Sequence, residues 1–221
     1  MAPVWHPLRH DRSCADVPGL PRHDRLHPHV PPGRDREVRA GPGVRVPAGG
    51  RGEPRVSPVV VPIALGHAAS FRQALDVVAR EKRYLAMTEA PSLEQVQAFV
   101  RQNLERGVAQ VVALDGERVV GWADIVPPAH PGLAHRGTLG MGVVPGFRAR
   151  GLGRALLAAC IERAWAAGLS RIELEVRADN LPAIGLYVAM GFRHEGYKPR
   201  GICLDGAFLD TLAMGLLREG A

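Results

Sequence analysis

The sequence predicts an α/β protein: a mixed sheet of about seven strands with about four helices on its faces, preceded by a disordered tail. Three observations predict it. After residue 57, strand-length and helix-spaced apolar runs alternate in the order β-α-α-β-β-β-α-β-α-β-β. In the middle of that order a strand, Thr138–Val144, stops at Pro145-Gly146 and gives way to a basic, glycine-rich turn and a helix. The first 57 residues contain no Ile, Phe, Tyr or Lys, and their few Val and Leu follow no period. Such a segment cannot bury enough apolar surface to offset a backbone ordering cost of roughly 1–2 kcal/mol per residue.

The chain therefore divides into a Pro/Arg/Gly-rich tail, residues 1–57, and one domain, residues 58–218. The tail reads as plain disorder or as upstream translation from a wrongly assigned start. Two lysines against 26 arginines point to a GC-rich gene, where such extensions arise easily. Most of the net charge of +6 belongs to the tail, with ten arginines against six acids, so the domain itself is no nucleic-acid candidate. No apolar run approaches 18 residues, which argues against a membrane span. Cys14, Cys160 and Cys203 give neither a disulfide framework nor metal spacing, and suit a reducing cytoplasm. Met1–Leu8 lacks the apolar core of a secretory signal. Five of the nine histidines lie in the tail without Cys or acid partners, so no metal is expected.

Taking the domain in order, Pro58–Leu65 is a first strand, placed at an edge by Pro62. Phe71, Ala74, Leu75 and Val78 recur at helical spacing and predict a helix over Ala69–Leu85. Ser92, with Gln95 three residues on, forms a capping box for a helix to about Arg106. That helix turns Leu93, Val96, Phe99, Val100 and Leu104 inward, and Gly107 ends it. Ala109–Leu114 and Arg118–Val126 form a hairpin around Asp115-Gly116. Pro127–Arg136 is a loop with His130 and His135, either of which could line a substrate cleft. Beyond the central turn, Leu156, Leu157, Cys160, Ile161, Ala164 and Trp165 form a helix stripe. Arg171–Val176, Phe192–Lys198 and Ala207–Leu217 are strands, Leu181–Met190 is a short helix, and Gly201–Ala207 links the last two strands.

The turn itself, Phe147-Arg148-Ala149-Arg150-Gly151-Leu152-Gly153-Arg154, offers backbone N–H groups at a helix N-terminus, where anionic phosphate binds. Three arginines there exceed what a structural turn needs. It is not a P-loop, because Arg154-Ala155 stands where Lys-Ser/Thr is required, and it lacks the third glycine of a dinucleotide fingerprint.

Two blocks carry a resemblance to a known family. The first is Arg148-Ala149-Arg150-Gly151-Leu152-Gly153, and the second is LEVRADNLPAIGLYVAMGF, residues 174–192. In order and at this separation they resemble the GCN5-related N-acetyltransferase (GNAT) superfamily over about residues 58–218. The second block is most similar to that of bacterial ribosomal-protein N-terminal acetyltransferases.

The resemblance implies the acyl-CoA N-acyltransferase fold and acetyl-CoA as acetyl donor. The acceptor would be a primary amine of a small molecule (amino acid, polyamine, antibiotic) or a protein N-terminus. It implies that Met141, Gly142 and Val143 run beside the pantetheine arm. Arg148, Ala149, Arg150, Gly151, Leu152, Gly153 and Arg154 would hold the pyrophosphate, and Asn180 the cofactor or the loop after its strand. Tyr187 is the implied general acid and Glu175 the implied base, acting through water, with Asp124 as a rival base or amine anchor. No membrane or nucleic-acid partner is expected, and a homodimer is left open. The alternative is a non-catalytic acyl-CoA-binding regulatory module of the same fold.

Overall fold

The computed structural model describes residues 57–220, so the expectations for the tail lie outside the described residues. Seven strands form one sheet in the order β1-β2-β3-β4-β5-β7-β6. β1 (Val59–Pro62), β2 (Ala109–Asp115), β3 (Arg118–Val126) and β4 (Arg136–Val143) pair antiparallel in sequence. Pro62, with no N–H to donate, is tolerated because β1 is an edge strand. β5 (Arg171–Arg177) pairs β4 in parallel, and β7 (Ala207–Leu217) then joins β5 to the outer strand β6 (Arg193–Leu204).

Four helices cover the two faces. α1 (Ala68–Ala79) and α2 (Leu93–Glu105) pack on one, where Phe71, Val78, Val96, Val100 and Trp122 form a core. α3 (Leu152–Ala166) and α4 (Leu181–Ala189) pack on the other, over Val111, Ile125, Ile172 and Met214. Among the described residues no helix is long and apolar enough to cross a membrane.

Several expected boundaries move. α1 ends at Ala79 and not at Leu85: the apolar period stops there, Lys82 adopts φ 51°, and residues 80–90 run as an irregular strap. The Ser92–Gln95 capping box forms in both directions, at 3.2 and 3.0 Å. Leu93 and Leu104 nonetheless face outward, because only the Val96–Val100 side meets α1 and the sheet. The hairpin turn is centred on Gly116-Glu117, since Asp115 still pairs with Arg118. β6 extends to Leu204, so the last connection is the two-residue turn Asp205-Gly206 (φ 49° and 80°) and not a loop from Gly201.

One pairing governs the rest. β4 and β5 share only three register pairs, ending at Thr138↔Glu173. Past that point the two strands part, and the sheet opens into a fork between Leu139–Val143 and Leu174–Arg177.

Candidate active site

The fork holds a cleft of about 760 Å3. Met141, Gly142 and Val143 form one wall and Glu175 the other; Arg148, Ala149, Gly151, Gly153 and Arg154 close its basic end. Asn180 and Tyr187 enter from α4. Apart from the rival base Asp124, which is not among the lining residues, all but two of the residues expected to serve the cofactor, acid and base roles therefore line one cavity. The exceptions are Arg150, whose guanidinium lies over the Phe147 ring at 5.8 Å, and Leu152, whose side chain packs into the core under α3.

The basic end is built from backbone. Gly151 is the N-cap of α3 at φ 79°, a conformation that favours glycine, and Ala149 also has positive φ (57°). The first hydrogen bond of the helix runs from Ala155 N–H to Gly151 O at 3.1 Å. The N–H groups of Ala149 through Arg154 have no acceptor among the described residues. Six unused donors at the positive end of a 15-residue helix make an anion nest. Arg154, its guanidinium 3.4 Å from Ala189 O, stays exposed beside it.

Arg148 differs from this picture. Its Nη1 and Nη2 donate to Glu81 at 3.1 and 2.7 Å, its Nε donates to Val143 O at 2.7 Å, and its guanidinium lies over the Tyr84 ring at 4.7 Å. Its charge is committed to the strap, so its observed part is to hold the turn in place. Val143 O is likewise taken.

The strap is the element that sequence reasoning missed. Tyr84, Leu85 and Ala86 line the cleft from above. The strap is pinned on the far side too, where Lys82 pairs with Asp205 at 2.7 Å and Arg177 donates to Lys82 O at 3.1 Å. The one signal available was the charged run Arg80–Arg83 followed by a lone Tyr84 at the end of an apolar helix period. His130 and His135, by contrast, are exposed and do not line the cleft; the Gly201–Ile202 end of β6 does.

On α4, Asn180 Oδ1 accepts the Ala183 N–H at 3.3 Å and so caps the helix that presents Tyr187. The Tyr187 ring is buried against Phe192 at 5.8 Å between centroids. Burial pushes its phenol up to about 12, and its hydroxyl has no hydrogen-bond partner among the described residues. The phenol is thus a proton donor with an open bond.

The acids divide. Glu173 and Glu175 share a strand face as the alternation predicted. Glu173 pairs with Arg136 at 3.2 Å and Arg171 at 3.4 Å. Glu175 accepts from Thr211 Oγ1 at 2.6 Å and from Lys198 Nζ at 2.5 Å. Partial burial works to raise its carboxyl, but the bonds from Lys198 and Thr211 outweigh that and hold it below the usual range. Asp124 on β3 is half-buried and makes no hydrogen bond or ion pair among the described residues; burial raises its carboxyl to about 7. Among the described residues no three His, Cys, Asp or Glu gather to hold a metal.

Comparison with known proteins agrees with this geometry. The acetyltransferase (GNAT) family model matches residues 74–192. The L-amino acid N-acetyltransferase AaaT of Escherichia coli is 34% identical over 115 residues, 51% of this chain and 70% of that protein. An uncharacterized Mycobacterium leprae protein is 36% identical over 110 residues, half of this chain; the match spans only 30% of that longer relative. Among solved structures, yncA of Salmonella typhimurium, determined with its cofactor acetyl-CoA, superposes with a TM-score of 0.71 at 18% identity. That superposition covers 75% of this chain and 96% of that one.

Proposed function

The chain belongs to the acetyltransferase (GNAT) family, and from that premise we propose that it transfers an acetyl group from acetyl-CoA directly to a primary amine. The acceptor is a small molecule such as an amino acid, polyamine or antibiotic, or a protein N-terminus. The observation that carries this reading is the forked cleft with six unpaired N–H donors at its basic end and the Tyr187 phenol inside it.

In this reading the pantetheine arm lies along Met141–Val143, on the side of β4 that β5 has left. Its amides replace the missing strand partner, apart from Val143 O, which Arg148 already occupies. The pyrophosphate sits on the N–H groups of residues 149–154, with Arg154 adding charge. That seat carries the thioester to Tyr187, whose neutral phenol gives its proton to the departing CoA thiolate. The yncA structure with acetyl-CoA and the E. coli amino-acid acetyltransferase support the donor and the amine class respectively.

The test is calorimetry of the full chain with acetyl-CoA, followed by CoA release over a panel of amino acids, spermidine, kanamycin and N-terminal peptides. Micromolar binding and release with one acceptor class are expected. Absence of acetyl-CoA binding overturns the reading. Tight binding without release to any amine replaces it with a non-catalytic acyl-CoA-binding module.

A further inference from the structure

We propose that Asp124, rather than Glu175, receives the acceptor's primary ammonium beside Gly140 in the fork and takes its proton. This rests on the acetyl-transfer reading above.

Three carboxylates stand on one side of the sheet around the opening. Asp124 is in register with Gly140, Gly140 lies two residues past Thr138, and Thr138 is in register with Glu173. Paired and alternate residues share a face, so Asp124, Glu173 and Glu175 all project to the α1/α2 side. Residue 140 has no side chain, and the Asp124 carboxylate extends into the space it leaves. Its Oδ2 lies 3.2 Å from where a Cβ would stand on Gly140, itself a cleft residue.

Two of the three acids are spent. Glu173 faces Arg136 and Arg171, and Glu175 faces Lys198 and Thr211. Asp124 is left without a cation. On β2 it meets Gln110, on β4 Gly140, and on its own strand Trp122 and Val126. The face that α1 turns to β3 is apolar, with Phe71, Leu75 and Val78. Through the sheet lies Cys160 on α3, whose thiol is raised first by burial and then by the Asp124 charge. None of these neighbours is positive.

Gln110 carries the same signature. It is 2% exposed; its Oε1 accepts from Asn103 Nδ2 at 2.9 Å, and its Nε2 has no partner. A lone carboxylate and a buried amide one partner short sit on residues paired across β2 and β3. The free Gln110 Nε2 is a donor and offers nothing to a cation, so the unpartnered Asp124 carboxylate alone marks a place for a positive ligand group. A primary ammonium supplies the missing charge. The burial that raises Asp124 to about 7 makes it a base matched to neutral pH, whereas Lys198 and Thr211 make Glu175 a weaker one.

The step balances as follows. The acceptor enters as RNH3+, and Asp124 takes one proton to leave RNH2. The nitrogen lone pair attacks the thioester carbon, the C–N bond forms, and the C–S bond breaks with its electron pair on CoA sulfur. The new amide loses a second proton, which reaches the thiolate through the Tyr187 phenol, and Asp124 returns the first to water. The sum is RNH3+ plus acetyl-CoA giving RNHAc, CoASH and H+.

The experiment compares wild type, Asp124→Asn and Glu175→Gln with the best acceptor of the panel, from pH 5.5 to 9. Asp124→Asn is expected to lower kcat/KM for the amine by about 100-fold or more. It should remove the acidic limb near pH 7 and leave acetyl-CoA affinity unchanged; Glu175→Gln should cost less than 10-fold and keep the limb. An Asp124→Asn enzyme within 3-fold of wild type, or a limb lost only in Glu175→Gln, overturns the proposal and leaves acetyl transfer standing. A reading independent of turnover is the carboxyl 13C titration of Asp124 with S-acetonyl-CoA bound. Its midpoint should lie near 7 and fall by one pH unit or more with 100 mM methylammonium. A midpoint below 5, or no response to the amine, overturns the proposal. A response without any turnover sinks the acetyl-transfer reading and keeps the amine seat.

Discussion

Arg148 and Glu81 form a two-point ion pair, with Nη1–Oε1 and Nη2–Oε2 at 3.1 and 2.7 Å, across 67 residues of chain. One partner belongs to the turn before α3 and the other to the strap over the cleft. Because Arg148 also holds Val143 O, the pair ties the strap to the end of β4. Glu81→Gln breaks the paired geometry and is expected to cost ~1 kcal/mol of stability, the order of a partly exposed bidentate pair. Acetyl-CoA binding should weaken by about 5-fold, equivalent to ~1 kcal/mol, with kcat nearly retained. Calorimetry checks the sign. If Arg148 instead served the pyrophosphate, releasing it from Glu81 would tighten binding.

Gly151 stands at φ 79° as the N-cap of α3, with open space where a Cβ would go. A side chain is therefore opposed by backbone conformation alone, and Gly151→Ala is expected to lose ~1–2 kcal/mol of stability. Gly151→Asp adds a negative charge among N–H groups aimed at an anion. It should weaken acetyl-CoA by more than 100-fold in a calorimetric titration, far beyond its effect on unfolding by urea. Gly153→Ala is the control. Its Cβ would lie 3.3 Å from Leu186 Cδ2, which needs to give by only a few tenths of an ångström.

Most of the fold was legible because its elements carry their own local signals. The Ser92–Gln95 box, the Gly107 stop and the alternation of Arg171–Val176 all depend on residues within one element. The cleft was legible through the glycine-rich turn and the Asn180–Tyr187 block. What escaped were long-range pairings. Lys198 reaches Glu175 across 23 residues, so the residue expected as base is also an ion-pair partner. Glu81 likewise meets Arg148 across 67 residues, so the arginine expected at the pyrophosphate is also held by the strap. No local pattern states which cation meets which acid when Arg171, Arg177 and Lys198 are all near one strand face. The strap escaped for a different reason: the apolar period ends at Ala79, but nothing local states that residues 80–90 fold back over the cleft, where Arg148 holds Glu81, Asp205 holds Lys82 and Arg177 holds the Lys82 carbonyl.

Tyr187 keeps its proton over the whole working range, since burial raises its phenol to about 12. Wild-type turnover should therefore show no alkaline loss from this group up to pH 10. Tyr187→Phe removes the donor but no protein hydrogen bond. Expected is a fall in kcat of about 100-fold, with acetyl-CoA affinity and melting temperature close to wild type. A variant with full kcat would remove Tyr187 from the reaction.

Asp124 gives a stability prediction with a definite sign. Its folded carboxyl titrates at about 7, above the ordinary aspartate value, so the folded state holds this proton more tightly than the unfolded state. The stabilising contribution is complete below about pH 4 and is lost as pH rises towards 7. Above 7 the ionised, unpartnered carboxylate is a net cost, and Asp124→Asn relieves it. The variant should match wild type near pH 4.5 and exceed it at pH 8 by ~1–3 kcal/mol in urea unfolding, allowing for partial solvent screening. A ligand ammonium would offset the same cost in the wild type, so an amine that binds the cleft should raise the melting temperature of wild type at pH 8 and not that of Asp124→Asn. Equal stability of the two proteins at both pH values would mean that Asp124 titrates normally and is too weak a base for the role given to it.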